Sequence, residues 1–175
     1  MGLRRYARGV TFVELMATLL IVAVVAAIAM PGFANLTLNN RILAQTGLLQ
    51  NAFNYARSEA VRRNGEVRVT SLHGDEDWGT NGWRIWVDKD ADGVFTSSDE
   101  ELRVQPGLTG GATLTAPSIS EIVFAGNGFL KRQAGVTFTT QYSFAFRVAN
   151  HCEWGRNVTV MYAGRVSMES QGCAQ

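Results

Sequence analysis

One stretch constrains the folding of this chain more than any other, the apolar run from Gly9 to Pro31. Residues 15–30 carry no charged side chain, and residues 12–30 would span roughly 28 Å as a helix at about 1.5 Å per residue. Three arginines precede the run, but Glu14 lies inside it, near its start. A segment of this length can enter a bilayer, so the carboxylate needs an explanation.

Two interpretations leave Glu14 unexplained. The run could be a secretory signal, with a basic start, an apolar core and the sequence Ala-Ile-Ala at 27–29 as its cleavage site. Glu14 does not suit the apolar core of such a signal, where a buried charge costs about 2.5–3.5 kcal/mol on insertion scales. The run could also be a plain single-span anchor, which leaves Glu14 equally unexplained. In a membrane, the arginines would stay on the cytoplasmic side and the chain after Pro31 would face outward.

A third interpretation gives Glu14 a role. The pattern Gly-Val-Thr-Phe-Val-Glu-Leu at 9–15, followed by Pro31, resembles the N-terminal signature of type IV prepilins and secretion pseudopilins. The resemblance implies that a prepilin peptidase cuts between Gly9 and Val10, and that the new amine of Val10 is N-methylated. It also implies that Glu14 pairs with the terminal amine of a neighbouring subunit, which would make a carboxylate in a membrane tolerable. Pro31 matches the proline that kinks the family's helix, whereas Val10 stands where phenylalanine is usual.

The resemblance also implies an organisation and a location. Residues 1–9 would be the prepilin leader, 10–31 the transmembrane and assembly half of a helix, 32–64 its amphipathic half, and 65–175 a β-rich globular domain. The protein would cross the bacterial inner membrane once, with a cytoplasmic N-terminus and a periplasmic globular domain, before entering a filament. Its partners would be other pilins or pseudopilins, the prepilin peptidase and an assembly platform in the inner membrane.

The chain after the membrane segment predicts one helix followed by a sheet. Apolar residues recur at near-helical spacing, and a basic last turn followed by a glycine stop predicts that the helix ends near Asn64-Gly65. The members of this stripe are Leu38, Ile42, Leu49, Phe53, Ala56 and Ala60.

Beyond residue 65, short runs rich in β-branched and aromatic residues, separated by Gly, Asn and Asp, predict eight strands. The predicted strands are residues 66–72, 83–87, 101–105, 112–115, 121–124, 142–148, 157–162 and 165–168. The fold class is therefore α+β, a long N-terminal pilin-type helix packed on one or two antiparallel sheets.

Three later segments narrow the resemblance. Residues 54–64, 83–104 and 157–168 are similar to the GspH/FimT branch of pseudopilins and minor pilins, which has an Ala-Arg-Ser-Glu-Ala helix end and a late Gly-Arg. This implies a structural subunit of a type II secretion pseudopilus or a type IV pilus, near its tip. Catalysis is not expected, because the chain lacks a nucleophile motif and a phosphate loop, and His73 and His151 suit turns or the surface.

DNA binding for uptake in natural transformation is the alternative function. Some FimT-like proteins bind DNA through a Gly-Arg-x-Arg motif, but residues 164–167 here read Gly-Arg-Val-Ser, without the second arginine. Of 16 basic residues three precede Gly9, so 13 remain against 15 acidic ones, which argues against general polyanion binding. The candidate DNA-contacting residues are Lys131, Arg132, Arg156 and Arg165.

One acidic turn has the spacing of a calcium loop. Asp88, Asp90 and Asp92 alternate before Gly93, and Asp99 stands at the twelfth place. The loop joins predicted strands rather than helices, and Asp99 is shorter than the usual glutamate, so a solvated hairpin turn is the alternative. A structural calcium ion is the one cofactor that the sequence suggests.

The two cysteines, Cys152 and Cys173, both lie in the last quarter of the chain. Outside the cytoplasm they would form a disulfide. The closed loop of about twenty residues would contribute roughly 3 kcal/mol in the chain-entropy view. Free thiols are the alternative.

Overall fold

The computed structural model describes residues 9–132, 140–148 and 152–172. Within them, one 52-residue helix, α1 (Phe12–Arg63), precedes the strands and a short 3-10 turn at Cys152–Trp154. The strands are β1 (Val67–Ser71), β2 (Gly82–Val87), β3 (Glu100–Pro106), β4 (Ala112–Thr115), β5 (Glu121–Phe124), β6 (Gln141–Val148), β7 (Arg156–Met161) and β8 (Val166–Ser170). All eight predicted strands are present, within two residues at each end, and the predicted α+β fold is confirmed. The described residues divide into two compact units, the first ending at Asn39 and the second beginning at Asn40.

The first unit contains the N-terminal part of α1. Thr11 caps the helix, because the Leu15 N–H donates to its carbonyl oxygen at 3.1 Å and the Glu14 N–H donates to its Oγ1 at 3.3 Å. The large apolar side chains of this part are exposed, and its most apolar stretch has a mean hydropathy of 2.6 with none of it buried. By length and composition α1 could therefore cross a membrane, although a signal sequence would meet the same criteria.

Hydroxyl groups in this part of α1 are satisfied by the helix itself. Thr18 Oγ1 donates to the Leu15 carbonyl oxygen at 2.8 Å, and Thr37 Oγ1 donates to that of Phe33 at 2.9 Å. The Thr18 bond suits a helix in hydrocarbon, where no water can replace it, whereas Thr37 lies beyond the predicted transmembrane half. Pro31 lies inside the continuous helix.

In the second unit, α1 buries the predicted apolar stripe. Five of its six members are at most 1% exposed and the sixth, Leu38 of the first unit, is half-buried. Two polar residues also lie on this buried face with their donors satisfied: Thr46 Oγ1 donates to the Ile42 carbonyl oxygen at 2.7 Å, and Gln45 Nε2 donates to that of Thr109 at 2.9 Å. The face is thus wider than its apolar residues alone indicate.

The helix ends through Asn64 rather than through the glycine that the sequence suggested. Asn64 adopts a left-handed backbone with φ of 49°, and its N–H donates to the Val61 carbonyl oxygen at 3.2 Å. The N–H of Gly65 donates to the Ala60 carbonyl oxygen at 3.1 Å. This pair of bonds is the Schellman motif, in which asparagine can replace the usual glycine.

The strands form two four-stranded antiparallel sheets, ordered β3-β2-β1-β5 and β4-β6-β7-β8. Side chains of the first sheet alternate between its two faces. Val67, Val69 and Ile85 are fully buried on the inner face, while Arg68 is paired with Trp86 on the outer face. The β2–β3 connection, residues 88–99, follows this outer face.

An aromatic group joins the helix, a loop and the second sheet. The ring centroids of Phe53 and Phe144 are 5.2 Å apart, and those of Trp78 and Phe144 are 5.1 Å apart with an edge-on geometry. Trp78 is fully buried, and its indole N–H donates to the Ile119 carbonyl oxygen at 2.8 Å. The core of the second unit is therefore well packed around α1.

Candidate functional site

The N-terminal motif lies open to its surroundings. Gly9 and Val10 are exposed, and a Cβ placed on Gly9 would meet no atom within 4 Å. Glu14 is exposed in the first helical turn, where a carboxylate interacts favourably with the helix dipole. No ion pair joins Glu14 to a cation within the described parts of the chain.

A cluster of charged side chains lies at the C-terminal end of α1. Arg62 Nε donates to Glu59 Oε1 at 3.1 Å, and Arg63 Nε donates to Glu59 Oε2 at 2.9 Å. Hydrogen bonds from Arg62 and then Arg63 lower the pKa of Glu59 to about 2. The other edge of the Arg63 guanidinium pairs with Glu100 of β3, 2.8 Å away, and lowers the pKa of that carboxyl. The cluster thus ties the helix to an edge strand.

Arg57 ties the helix to two turns. Its Nε donates to the Gly128 carbonyl oxygen at 3.1 Å, and its Nη2 donates to that of Ala163 at 3.4 Å. Gly164 has φ of 76°, and a Cβ there would collide with the Gly128 carbonyl oxygen. The Ala-Arg-Ser-Glu-Ala helix end and the late Gly-Arg therefore meet in space, with a structural role.

The acidic loop brings together three of the four predicted metal ligands. One carboxylate oxygen from each of Asp88, Asp90 and Asp99 lies within 4.8 Å of those of the other two. Asp92 lies outside this group, and its Oδ1 accepts the Val94 N–H at 2.7 Å.

Hydrogen bonds hold these carboxylates in place. Asp88 Oδ2 accepts the Gly93 N–H at 2.9 Å, and Asp90 Oδ2 accepts the Ser98 hydroxyl at 2.9 Å. Asp99 accepts the backbone N–H groups of Lys89 and Thr96, at 2.9 and 2.8 Å, and both bonds lower the pKa of Asp99. The carboxylates are thus oriented by the loop itself.

Phe95 attaches this loop to the outer face of the first sheet. Its ring lies edge-on to Trp86 with centroids 5.4 Å apart, and the Arg84 guanidinium lies 3.9 Å from the Phe95 centroid. Trp86 is itself 1% exposed, and its indole N–H donates to Thr70 Oγ1 at 3.1 Å. The loop is therefore packed against the sheet.

The predicted DNA-contacting residues lie in different elements of the second unit. Lys131 Nζ pairs with Glu66 Oε1 at 2.6 Å, which offsets its charge. Arg156 is paired with Ser170 at one end of the β7–β8 hairpin, whereas Arg165 lies exposed in the turn at the other end. Arg132 also has an interaction partner within the protein. Arg156 and Arg165 thus lie at opposite ends of one hairpin.

Two predictions fall outside the described residues. The described residues do not include Cys173 or His151. The side chain of Cys152 is not described either. The disulfide therefore stays a prediction.

Sequence reasoning missed the roles of Arg57, Glu59 and Phe95. The first two lie in the Ala-Arg-Ser-Glu-Ala segment, so the motif marked them without indicating their contacts. A signal for Phe95 was present, because it is the one aromatic residue in an acidic loop and a ring of that size gains free energy by packing against other apolar groups.

Comparisons with known proteins agree with this geometry. The profile of the family described as type II transport protein GspH matches residues 45–164, more than half of the chain. A second profile, the prokaryotic N-terminal methylation motif, matches residues 4–30. No curated protein matches the chain.

Among solved structures, the type IV minor pilin FimU of Pseudomonas aeruginosa (strain PAO1) is similar in two crystal forms. In one form the match has 26% sequence identity, covers 77% of this chain and 92% of that chain, and has a TM-score of 0.61. In the other form the identity is again 26%, the coverage 73% and 91%, and the TM-score 0.57.

Proposed function

Because this chain belongs to the GspH family of pilin-like proteins, we propose that it is a low-abundance subunit of a type IV pilus or of the pseudopilus of a type II secretion system. The family and the fold are those of structural pilins rather than enzymes. The subunit would lie at or near the filament tip and support assembly.

The observation that carries this proposal is the exposed apolar surface of the N-terminal unit. Large side chains such as Phe12, Ile21 and Ile28 are 60–75% exposed, whereas the second unit buries its own core. Such a surface needs lipid before assembly and other helices afterwards, and a filament of similar subunits supplies the second environment.

The proposed processing follows from the same segment. The peptidase would remove residues 1–9, and the chain would sit once in the inner membrane with its globular part in the periplasm. Glu14 would then pair with the methylated amine of a neighbouring subunit. An assembly platform in the membrane would be a further partner.

Two filament machines are candidates, and each has its own support. Similarity to FimU over 92% of that protein favours a type IV pilus. The description of the matching family favours type II secretion. The DNA-uptake alternative has less support, because Arg156 and Arg165 lie at opposite ends of one hairpin.

A deletion strain tests the proposal through three phenotypes: twitching motility, secretion of exoproteins and DNA uptake. Loss of motility and surface pili with normal secretion would identify a minor pilin, and loss of secretion alone a pseudopilin. Loss of DNA uptake with normal piliation would favour the DNA-binding alternative. Wild-type behaviour in all three assays, with every other minor subunit also removed, would contradict a filament role.

A further inference from the structure

The acidic loop contains a carboxylate oxygen whose environment is incomplete. The Asp88 side chain is only 4% exposed, and among the described residues its Oδ1 is buried without a hydrogen-bond partner. A buried polar atom in this state is costly, because it has lost water and gained nothing in return. Asp88 is also one of the three carboxylates that converge within 4.8 Å. The converging carboxylates and the unpaired buried oxygen of Asp88 together favour a missing positive ligand.

Two cations near Asp88 in the described part of the chain, Arg68 and Lys89, do not supply that ligand. Arg68 Nη2 lies 3.1 Å from Asp88 Oδ2, but its Nη1 is directed to Glu121 Oε2, 2.8 Å away. Arg68 is therefore shared between two carboxylates. Lys89, which lies in the loop itself, pairs with Glu100 at 3.6 Å rather than with the converging group. The group Asp88, Asp90 and Asp99 thus retains negative charge.

Coordination capacity also remains on the other two carboxylates. Each oxygen of Asp99 accepts one backbone N–H, and Oδ2 also accepts the Thr96 hydroxyl at 3.3 Å, yet a carboxylate offers about four lone-pair positions, so capacity for a further ligand remains. Asp90 is exposed, so water can complete a coordination shell on that side. The loop therefore offers oxygen ligands from one buried and two more accessible carboxylates.

We propose that Asp88, Asp90 and Asp99 bind one divalent cation, and that this cation is Ca²⁺. A purely oxygen donor set favours a hard cation over zinc or copper. Ca²⁺ accepts six to eight oxygens in flexible geometry, which suits a loop with water on one side, whereas Mg²⁺ requires a near-ideal octahedron. Asp92 is not a ligand in this site, although the spacing of the sequence included it.

Binding would fix the loop that covers the outer face of the first sheet. Phe95 lies between the ligands Asp90 and Asp99 in sequence and packs on Trp86. A cation that joins the two ends of the loop would hold this contact in place. The site belongs to the second unit and does not depend on which filament the protein enters.

Calorimetric titration tests the proposal directly. The full chain in detergent micelles is freed of metal with a chelator, dialysed, and titrated with CaCl₂ and separately with MgCl₂. We expect one Ca²⁺ per chain with a Kd between about 10⁻⁵ and 10⁻³ M, and binding of Mg²⁺ that is at least about tenfold weaker. The melting temperature should rise with the CaCl₂ concentration, because the ion binds only the folded state.

Matched variants separate this site from a diffuse acidic surface. Asp90→Asn and Asp99→Asn should weaken Ca²⁺ binding at least about tenfold, and Asp90 is exposed, so its variant should fold. Asp92→Asn removes the same charge from the same loop and should change the Kd less than about twofold. Absence of saturable binding up to about 10 mM CaCl₂, well above the range of known sites, would overturn the proposal. An equal loss in Asp92→Asn and Asp90→Asn would overturn it too.

Discussion

Arg57 Nε donates a hydrogen bond to the Gly128 carbonyl oxygen at 3.1 Å, and this contact joins residues 71 positions apart. The same guanidinium reaches the Ala163 carbonyl oxygen in the β7–β8 turn. One helical side chain therefore satisfies carbonyl groups in two turns that the sheets alone leave unpaired. The contact explains why a helix-end motif and a late glycine occur together in this chain.

Removing this guanidinium should destabilise the second unit. Arg57→Ala leaves the part-buried Gly128 carbonyl without its donor, whereas water can replace the donor at the exposed Ala163 carbonyl, and we expect the free energy of unfolding to fall by about 1–2 kcal/mol. Chemical denaturation of the full chain in micelles measures the change. Arg165→Ala, in the adjacent turn and exposed, is the matched control and should stay within about 0.5 kcal/mol of wild type. Equal effects of the two variants would show that Arg57 has no special role.

Alanine substitutions at two glycines should change the stability of the protein in opposite directions. Gly164→Ala combines a left-handed backbone with a collision at the Gly128 carbonyl oxygen, so it should cost more than about 1 kcal/mol. Gly47 lies inside α1 with no atom near its missing Cβ, so Gly47→Ala should gain about 0.5–1 kcal/mol. Melting temperatures of the pair compare them under one condition. A loss at Gly47 would mean that the helix needs flexibility there.

The Glu59 cluster predicts a loss of stability in acid. Because folding lowers the pKa of Glu59 to about 2, its stabilising contribution is complete above the unfolded pKa of about 4.5 and disappears as the pH falls through about 2. Glu59→Gln should therefore be less stable than wild type at pH 7. The difference should shrink between about pH 4.5 and 2, as wild-type Glu59 becomes protonated. Parallel stability curves over this range would contradict the assigned role of the carboxylate.

The sequence predicted the fold well because its signals are local. The apolar run, the helical stripe and the eight strand-like runs each depend on nearest neighbours, and all of them recur in the structure. Even so, the left-handed residue at the helix end is Asn64, because asparagine and glycine compete for that position and the sequence offers both.

The candidate sites were harder to predict because they depend on long-range contacts. Arg57 finds its partners 71 and 106 positions away, which no spacing rule indicates. Asp92 lies outside the group of converging carboxylates, although its spacing in the sequence matches that of the other three, because the folded backbone of the loop places its side chain elsewhere. The sequence thus identified the segments that contain the candidate sites, but which of their side chains make the contacts is seen only in the folded structure.

Glu14 should matter for assembly rather than for processing. Glu14→Ala leaves Gly9 and Val10 unchanged, so cleavage should proceed, but the variant should be absent from sheared filaments because it cannot pair with a neighbouring amine. Immunoblots of membrane and filament fractions measure both steps. Thr18→Ala, also exposed on the same part of α1, is the control and should enter filaments normally. Wild-type amounts of Glu14→Ala in filaments would contradict the pairing.

The mature N-terminus tests the central claim most directly. Intact-mass and N-terminal peptide mass spectrometry of the protein from cell membranes should find a chain that begins at N-methylated Val10. That result requires both the peptidase and the methylation that the filament role implies. A chain that begins at Met30, as a secretory signal cut after Ala29 would leave, or one that retains residues 1–9, would contradict the account.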